Sequence, residues 1–237
     1  IEFHELGKAK IAYRKIYPTS GNWKLTLDNF HECYHCQPSH PEYCSVHDPE
    51  YILAYGAGSG TGPSSEKFNK LLDKWNKKVK SLGHLTGEYA DKELNKYSRS
   101  AERTPLKEGK FTETKLGRPI AKLMGKFKEY DRGYTSVGTS PFNSLAMCND
   151  FATLFTFIPK STLQTDVELM WLVHEDAEEG KDYNIDEMIW MWDETTKADK
   201  RIIEDNQKGV LSNKYKPGPL SQMEKGLEKF KQWYLNR

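Results

Sequence analysis

The sequence has almost no net charge, +1 over 237 residues, so no overall field draws it to nucleic acid or to an anionic membrane surface. It has no apolar run long enough to cross a bilayer. Ile1–Lys10 scatters charges where a secretory leader would carry an apolar stretch, and the absence of a starting Met suggests a fragment or a trimmed chain. Cysteine is sparse. Cys33, Cys36, Cys44 and Cys148 do not read as a disulfide framework and point to a reducing, cytoplasmic setting. No internal repeat stands out. What is present is a globular composition: 37% hydrophobic and 12% aromatic residues, with 6 Trp and 13 Tyr, argue against disorder despite a mean hydropathy of -0.79. Such a chain buries a sizeable core without disulfides, and residues 1–237 are read as one domain.

Along the chain, Lys10–Arg14 alternates weakly and is expected to be a strand, followed by a turn at Pro18–Gly21. Trp23, Leu27, Phe30 and Tyr34 fall at helical spacing, which predicts a helix that Pro38 ends. Asp48–Gly62 reads as strand or loop, and Ser64–Lys80 as a helix. Residues 81–117 are polar and low in apolar content and read as a long excursion. From about Arg132 to His174 short turns separate alternating segments, the pattern of an antiparallel meander. Tyr183–Gly209 is helical, in two pieces meeting near Thr195-Thr196, with Gly209 as its C-cap. Pro217–Pro219 is a hinge and Leu220–Leu235 a last helix. The fold class is α+β, an antiparallel sheet with helices packed on it.

Candidate chemistry concentrates in Asn22–His40. His35 and His40 flank Pro38, and a helix broken there can turn the second ring back toward the first. Two neutral imidazoles and one carboxylate form the facial triad of non-heme iron(II) oxygenases. The pair His31/His35, at i and i+4, is also metal-competent, and by themselves these histidines are equally ordinary polar residues at a helix end. Cys33 and Cys36 have the spacing of a zinc or redox pair but no matching second pair, and are read as packing residues.

The whole string is more specific. Asn22-Trp23-Lys24, Asp28-Asn29, Glu32-Cys33-Tyr34-His35 and His40-Pro41-Glu42 together resemble the catalytic domain of Rieske-type non-heme iron oxygenase alpha subunits. The Glu-Cys-Tyr-His-Cys variant most resembles the branch acting on quaternary ammonium compounds, the choline, glycine betaine and carnitine oxygenases. Gln207–Val210, Pro217–Ser221 and Phe230–Tyr234 look like that branch's C-terminal segments. The likeness runs from about residue 20 to the end and is thin across the polar middle.

The resemblance implies a helix-grip (START-like) fold and a mononuclear Fe(II) held by His35, His40 and a downstream carboxylate. It makes Glu32 the bridging acid on the electron path and Asn29 a residue near the iron. Among Asp193, Glu194, Asp199, Glu204 and Asp205, only Asp199 shares a helix stripe with Ile202 and Ile203, while Glu204 and Asp205 match Lys200, Arg201 and Lys208 as surface pairs. The family pattern agrees with Asp199, and Asp193 remains the alternative. A Rieske [2Fe–2S] cluster needs two Cys and two His; the resemblance places them on an N-terminal domain, so the cluster is expected only on a missing domain or a partner. Implied partners are O2, a small-molecule substrate and a reductase or ferredoxin, in a homotrimer without nucleic acid or membrane. Quaternary ammonium groups bind aromatic faces, and Tyr134, Phe142, Phe151, Phe155, Phe157, Trp171, Trp190 and Trp192 are candidates for the pocket. Two other readings stand: an aromatic-ring dioxygenase or O-demethylase, and a START-like binding module with a vestigial iron site.

Overall fold

The computed structural model describes residues 2–55, 65–90, 100–221 and 224–236. Their strands form one seven-stranded antiparallel sheet in the order β1-β7-β6-β5-β4-β3-β2. These are β1 (Ala9–Thr19), β2 (Gly87–Ala90), β3 (Ser100–Pro105), β4 (Gly133–Ser140), β5 (Asn143–Met147), β6 (Phe151–Ser161) and β7 (Gln164–His174). From β2 to β7 the order is a meander, which the alternating sequence predicts only from about Arg132 to His174. Strand β1 comes from the far N-terminal side and pairs with β7 through a register irregularity between Ile11 and Tyr13.

The sheet's two faces follow from the period of two. Phe151, Phe155 and Phe157 of β6 and Val167, Leu169, Trp171 and Val173 of β7 are buried in the main core, which the helices complete with Leu27, Met188, Met191, Trp192 and Phe230. Burial of side chains of this size stabilises by roughly 1.5–3 kcal/mol each. The intervening residues face a smaller cluster, in which Val137, Leu145, Met147 and Ala152 pack on Met124.

The helices are α1 (Trp23–Phe30), α2 (Cys36–Ser39), α3 (Pro41–Val46), α4 (Pro49–Tyr55), α5 (Glu66–Ser81), α6 (Ile185–Val210) and α7 (Lys225–Leu235). Asn22 caps α1 by accepting from the Lys24 N–H, Ser65 caps α5, and Asn184 caps α6 by accepting from the Glu187 N–H. The turn before α1 is clamped to α6. A Cβ on Gly21 would stand 2.5 Å from Cγ2 of Ile203, and the Asn22 N–H donates to Gln207 at 2.8 Å. This close approach fixes α1 against the C-terminal third of α6. No helix among the described residues is long and apolar enough to cross a membrane.

Several expectations are corrected. Helix α1 ends at Phe30, not at Pro38; Glu32 turns back to accept from the Tyr34 N–H, and Tyr34 is exposed. Residues 49–55 are helical, while 56–64 lie outside the described residues. The polar 81–117 segment is no excursion in its described part, since β2 and β3 extend the sheet there; residues 91–99 lie outside the described residues. Between Gly133 and Met147 lie two strands, β4 and β5, that pair with each other. Helix α6 is continuous through Thr195-Thr196, because burial of that pair outweighs its modest helix propensity, and its C-cap is Leu211 rather than Gly209.

Candidate metal centre

Two parts of the chain, 159 and 164 residues apart, meet at one point. His35 stands at the start of α2, and His40 between α2 and α3, where Pro41 opens the next helix. The broken helix turns the rings toward each other, with centroids 5.0 Å apart and planes at 80°. Both present Nε2 to Asp199 Oδ1 on α6, at 3.1 Å from His35 and 3.0 Å from His40. Asn29 on α1 donates its amide N–H to the same oxygen at 2.8 Å. His40 and Asp199 are almost wholly buried, and His35 retains some exposure.

Ligands at right angles and about 2.1 Å from a first-row metal ion lie about 3 Å apart, so this donor set fits one. Among the described residues it is the one group of three or more His, Cys, Asp or Glu whose ligand atoms lie close enough, within 4.8 Å of one another. Glu32 Oε1 stands 2.5 Å from His35 Nδ1, on the side of the ring away from Asp199. A carboxylate there fixes the tautomer that leaves Nε2 free for a metal.

The competing acids are engaged elsewhere. Asp193 is held by Lys15 at 2.5 Å, the Tyr17 hydroxyl at 2.5 Å and Lys197 at 2.7 Å. Glu194 pairs with Lys197, Glu204 with Lys200, and Asp205 with Lys208. His31 packs against Phe230, and burial pulls its pKa down to about 4.

The cysteines correct the sequence reading. Cys33 and Cys36 are joined by a disulfide, with Cα atoms 4.9 Å apart, against the expectation of bystander thiols in a reducing setting. The turn that ends α1 brings their Cα atoms within bridging range. Sequence reading also passes over two strings with the spelling of Rieske-cluster ligands, Cys33-Tyr34-His35 and Cys44-Ser45-Val46-His47. The structure separates their members: Cys33 is in the disulfide, His35 faces Asp199, and His47 pairs with Glu113 at 2.9 Å.

Burial opposes charge on the His35 ring, but its hydrogen bonds to Asp199 and Glu32 outweigh that and carry its pKa to about 9. The same contacts overcome burial at Asp199 and hold its carboxyl below the usual range. In the metal-free protein the charged ring's contribution to stability is therefore complete below pH 6.5 and lost as pH rises through about 9. A metal must displace that proton. Uptake at pH 7 is expected to release about one proton per chain, with affinity rising toward pH 9. Calorimetry in two buffers of different ionisation enthalpy reads the count.

On the elements that carry the site residues and on the sheet, Phe30 packs on Phe157 and Phe155, Phe155 on Trp192, and Trp192 on Tyr43. Tyr134 reaches this group through His47. Glu113, fully buried, bonds His47 and the Trp192 indole N–H; it was invisible in a segment whose sequence is merely polar. Phe142 contacts Trp23, and Trp171 contacts Tyr13. Phe151 lies in the core, and Trp190 is packed against it.

With this geometry established, comparison with known proteins decides the family. A family model described as the ring hydroxylating alpha subunit (catalytic domain) matches residues 6–237. The chain belongs to that family. It is 32% identical over 246 aligned positions to the glycine betaine monooxygenase oxygenase subunit of Pseudomonas aeruginosa (strain UCBPP-PA14), covering 100% of this chain and 53% of that protein. The subunit of the same description from Chromohalobacter salexigens is 33% identical, over 98% of this chain and 50% of its own length. A solved quaternary ammonium Rieske monooxygenase matches 97% of this chain and 50% of its own with a TM-score of 0.59 at 17% identity, which supports the fold. The chain spans about half the length of these relatives. The α+β reading, an antiparallel sheet with packed helices, agrees with the fold of the family.

Proposed function

We propose that His35, His40 and Asp199 hold a mononuclear iron(II) ion, and that the domain hydroxylates a C–H bond of a quaternary ammonium compound with dioxygen. The observation that carries this reading is the convergence of two Nε2 atoms on one Asp199 oxygen, at 3.1 and 3.0 Å. Bound iron(II) would supply the activation of dioxygen that no side chain can provide. The chain's own residues do the rest. Glu32 holds the Nδ1 side of His35 and is partly exposed, a position suited to receiving electrons from outside the domain. Asn29 orients Asp199 through its amide N–H. The buried His40 side of the site excludes water, and the aromatic cluster of Phe30, Phe155, Trp192 and Tyr43 is of the kind that would receive a cation.

Hydroxylation of an N-methyl group gives an N-hydroxymethyl product that separates into formaldehyde and the demethylated amine. The quaternary ammonium class rests on the names of the relatives and on this aromatic cluster. We further propose that residues 1–237 act as one catalytic domain, that the [2Fe–2S] cluster lies outside them, and that a reductase or ferredoxin supplies electrons to a homotrimer.

The test is ligand binding to the iron-loaded protein, read as a thermal shift. Glycine betaine or carnitine is expected to raise the midpoint and an aromatic acid to leave it unchanged. The reverse pattern would sink the quaternary ammonium assignment in favour of an aromatic substrate. Absence of iron uptake would favour a START-like binding module.

A further inference from the structure

Each of the two histidines has a second nitrogen, and only one of the two is provided for by the family-like pattern. His35 Nδ1 has Glu32. His40 Nδ1 is buried in a side chain only 1% exposed and has no hydrogen-bond partner in the structure. An imidazole that binds a metal through Nε2 carries its hydrogen on Nδ1, and a buried N–H of that kind needs an acceptor. The acid nearest to it is Glu42, whose Oε1 lies 3.4 Å from His40 Nδ1 without the alignment of a hydrogen bond. Glu42 is not a stray surface acid. Its side chain is 12% exposed, and Oε1 accepts from the Thr195 hydroxyl at 2.9 Å. Thr195 lies on α6 one turn before Asp199, on the same side of the helix.

We propose that Glu42 is the positioning residue for His40, accepting the Nδ1–H of the metal-bound ring and tying that ring, through Thr195, to the helix that carries Asp199. The arrangement repeats on the second histidine what Glu32 does on the first, with one difference. Glu32 precedes its histidine by three residues, whereas Glu42 follows its histidine by two and is anchored to α6. One carboxylate oxygen can accept from both the threonine hydroxyl and the ring N–H. Closing the 3.4 Å separation by a few tenths of an ångström on metal binding completes the bond.

The inference rests on the metal-triad reading, and cobalt(II) titration of the metal-free protein under anaerobic conditions distinguishes the two. Wild type is expected to bind one equivalent and develop a visible d–d absorption. Glu42→Ala is expected to weaken the affinity about ten- to a hundred-fold and to shift that absorption. Glu42→Gln keeps an acceptor oxygen without the charge and falls between. Thr195→Val weakens binding less than Glu42→Ala, and Asp205→Asn, on the exposed face of α6, leaves both readouts unchanged. Thermal midpoints of the metal-free variants are read in parallel. Glu42→Ala and Glu42→Gln that bind cobalt as tightly as wild type, with the same spectrum and only a lower midpoint, would overturn the proposal while leaving the triad intact. No uptake by wild type would overturn the triad and the proposal with it. Should Glu42→Ala fail to fold, Glu42→Gln and Thr195→Val still decide the matter.

Discussion

Alanine at His40 or at Asp199 is expected to take iron(II) binding from one equivalent per chain to none, while the protein stays folded. The argument is local. Each residue supplies one of three donors that meet within hydrogen-bond distance, and among the described residues no other acid joins the group, Asp193 being occupied by Lys15, Tyr17 and Lys197. After loss of His40 the fold survives because the carboxylate left behind keeps partners. Without His40, Asp199 still accepts from Asn29 at 2.8 Å and pairs with His35 at 3.1 Å. Loss of one donor to a buried carboxylate costs about 1–3 kcal/mol, well inside the stability of most domains. Anaerobic reconstitution followed by iron analysis, with circular dichroism on the same samples, separates lost metal from lost structure. Asp193→Ala is expected to keep its iron; loss there with retention in Asp199→Ala would transfer the ligand assignment to Asp193.

The largest effect on stability is expected at Asp131, which organises a buried network outside the metal site. It lies fully buried beside Arg103, with guanidinium contacts at 3.0 and 3.1 Å. His84 Nδ1 lies 2.7 Å from its second oxygen, and the Gly133 N–H donates to its first at 2.8 Å. Lys128 donates its backbone N–H to His84 Nε2, which leaves the Nδ1 hydrogen for Asp131. Arg103 lies over the rings of Phe127 and Trp75. Asp131→Ala leaves that guanidinium buried and unpaired, at a cost of about 3–5 kcal/mol. At about 2–4 °C per kcal/mol for a chain of this size, the thermal midpoint should fall by roughly 6–20 °C. Burial works against the charged carboxylate, but the Arg103 charge and hydrogen bond outweigh it and hold its pKa below the ordinary value of 3.8. Its contribution is therefore present above pH 3.8 and lost as pH falls below it, so the gap between wild type and Asp131→Ala should narrow in acid. A constant gap from neutral pH into acid would count against a charged Asp131.

The sequence was most legible where one pattern governed the outcome. The meander could be read because β6 and β7 each bury one face and alternate cleanly. Asp199 could be picked out because α6 is long enough for its apolar stripe to repeat, and the ion pairs of Glu204 and Asp205 with their lysines were readable from spacing alone. The misreadings share a physical cause, since each depends on a distant partner. Tyr34 fits the helical period of α1, yet the helix stops at Phe30 and the following turn is closed by the link between Cys33 and Cys36. Strands β2 and β3 are polar because they form the outer end of the sheet. Asp193 is excluded from the site by Lys15 and Tyr17, 178 and 176 residues away, which helix periodicity cannot see. Glu42 and Glu113 have no local signature; their burial and partners are tertiary.

The most direct test of the central claim is a crystal of the protein reconstituted with iron(II) without oxygen, with diffraction data collected on both sides of the iron absorption edge. The account predicts one strong anomalous peak per chain, bounded by Nε2 of His35, Nε2 of His40 and the carboxylate of Asp199. A peak placed elsewhere, or none at that point in a fully reconstituted sample, would contradict it.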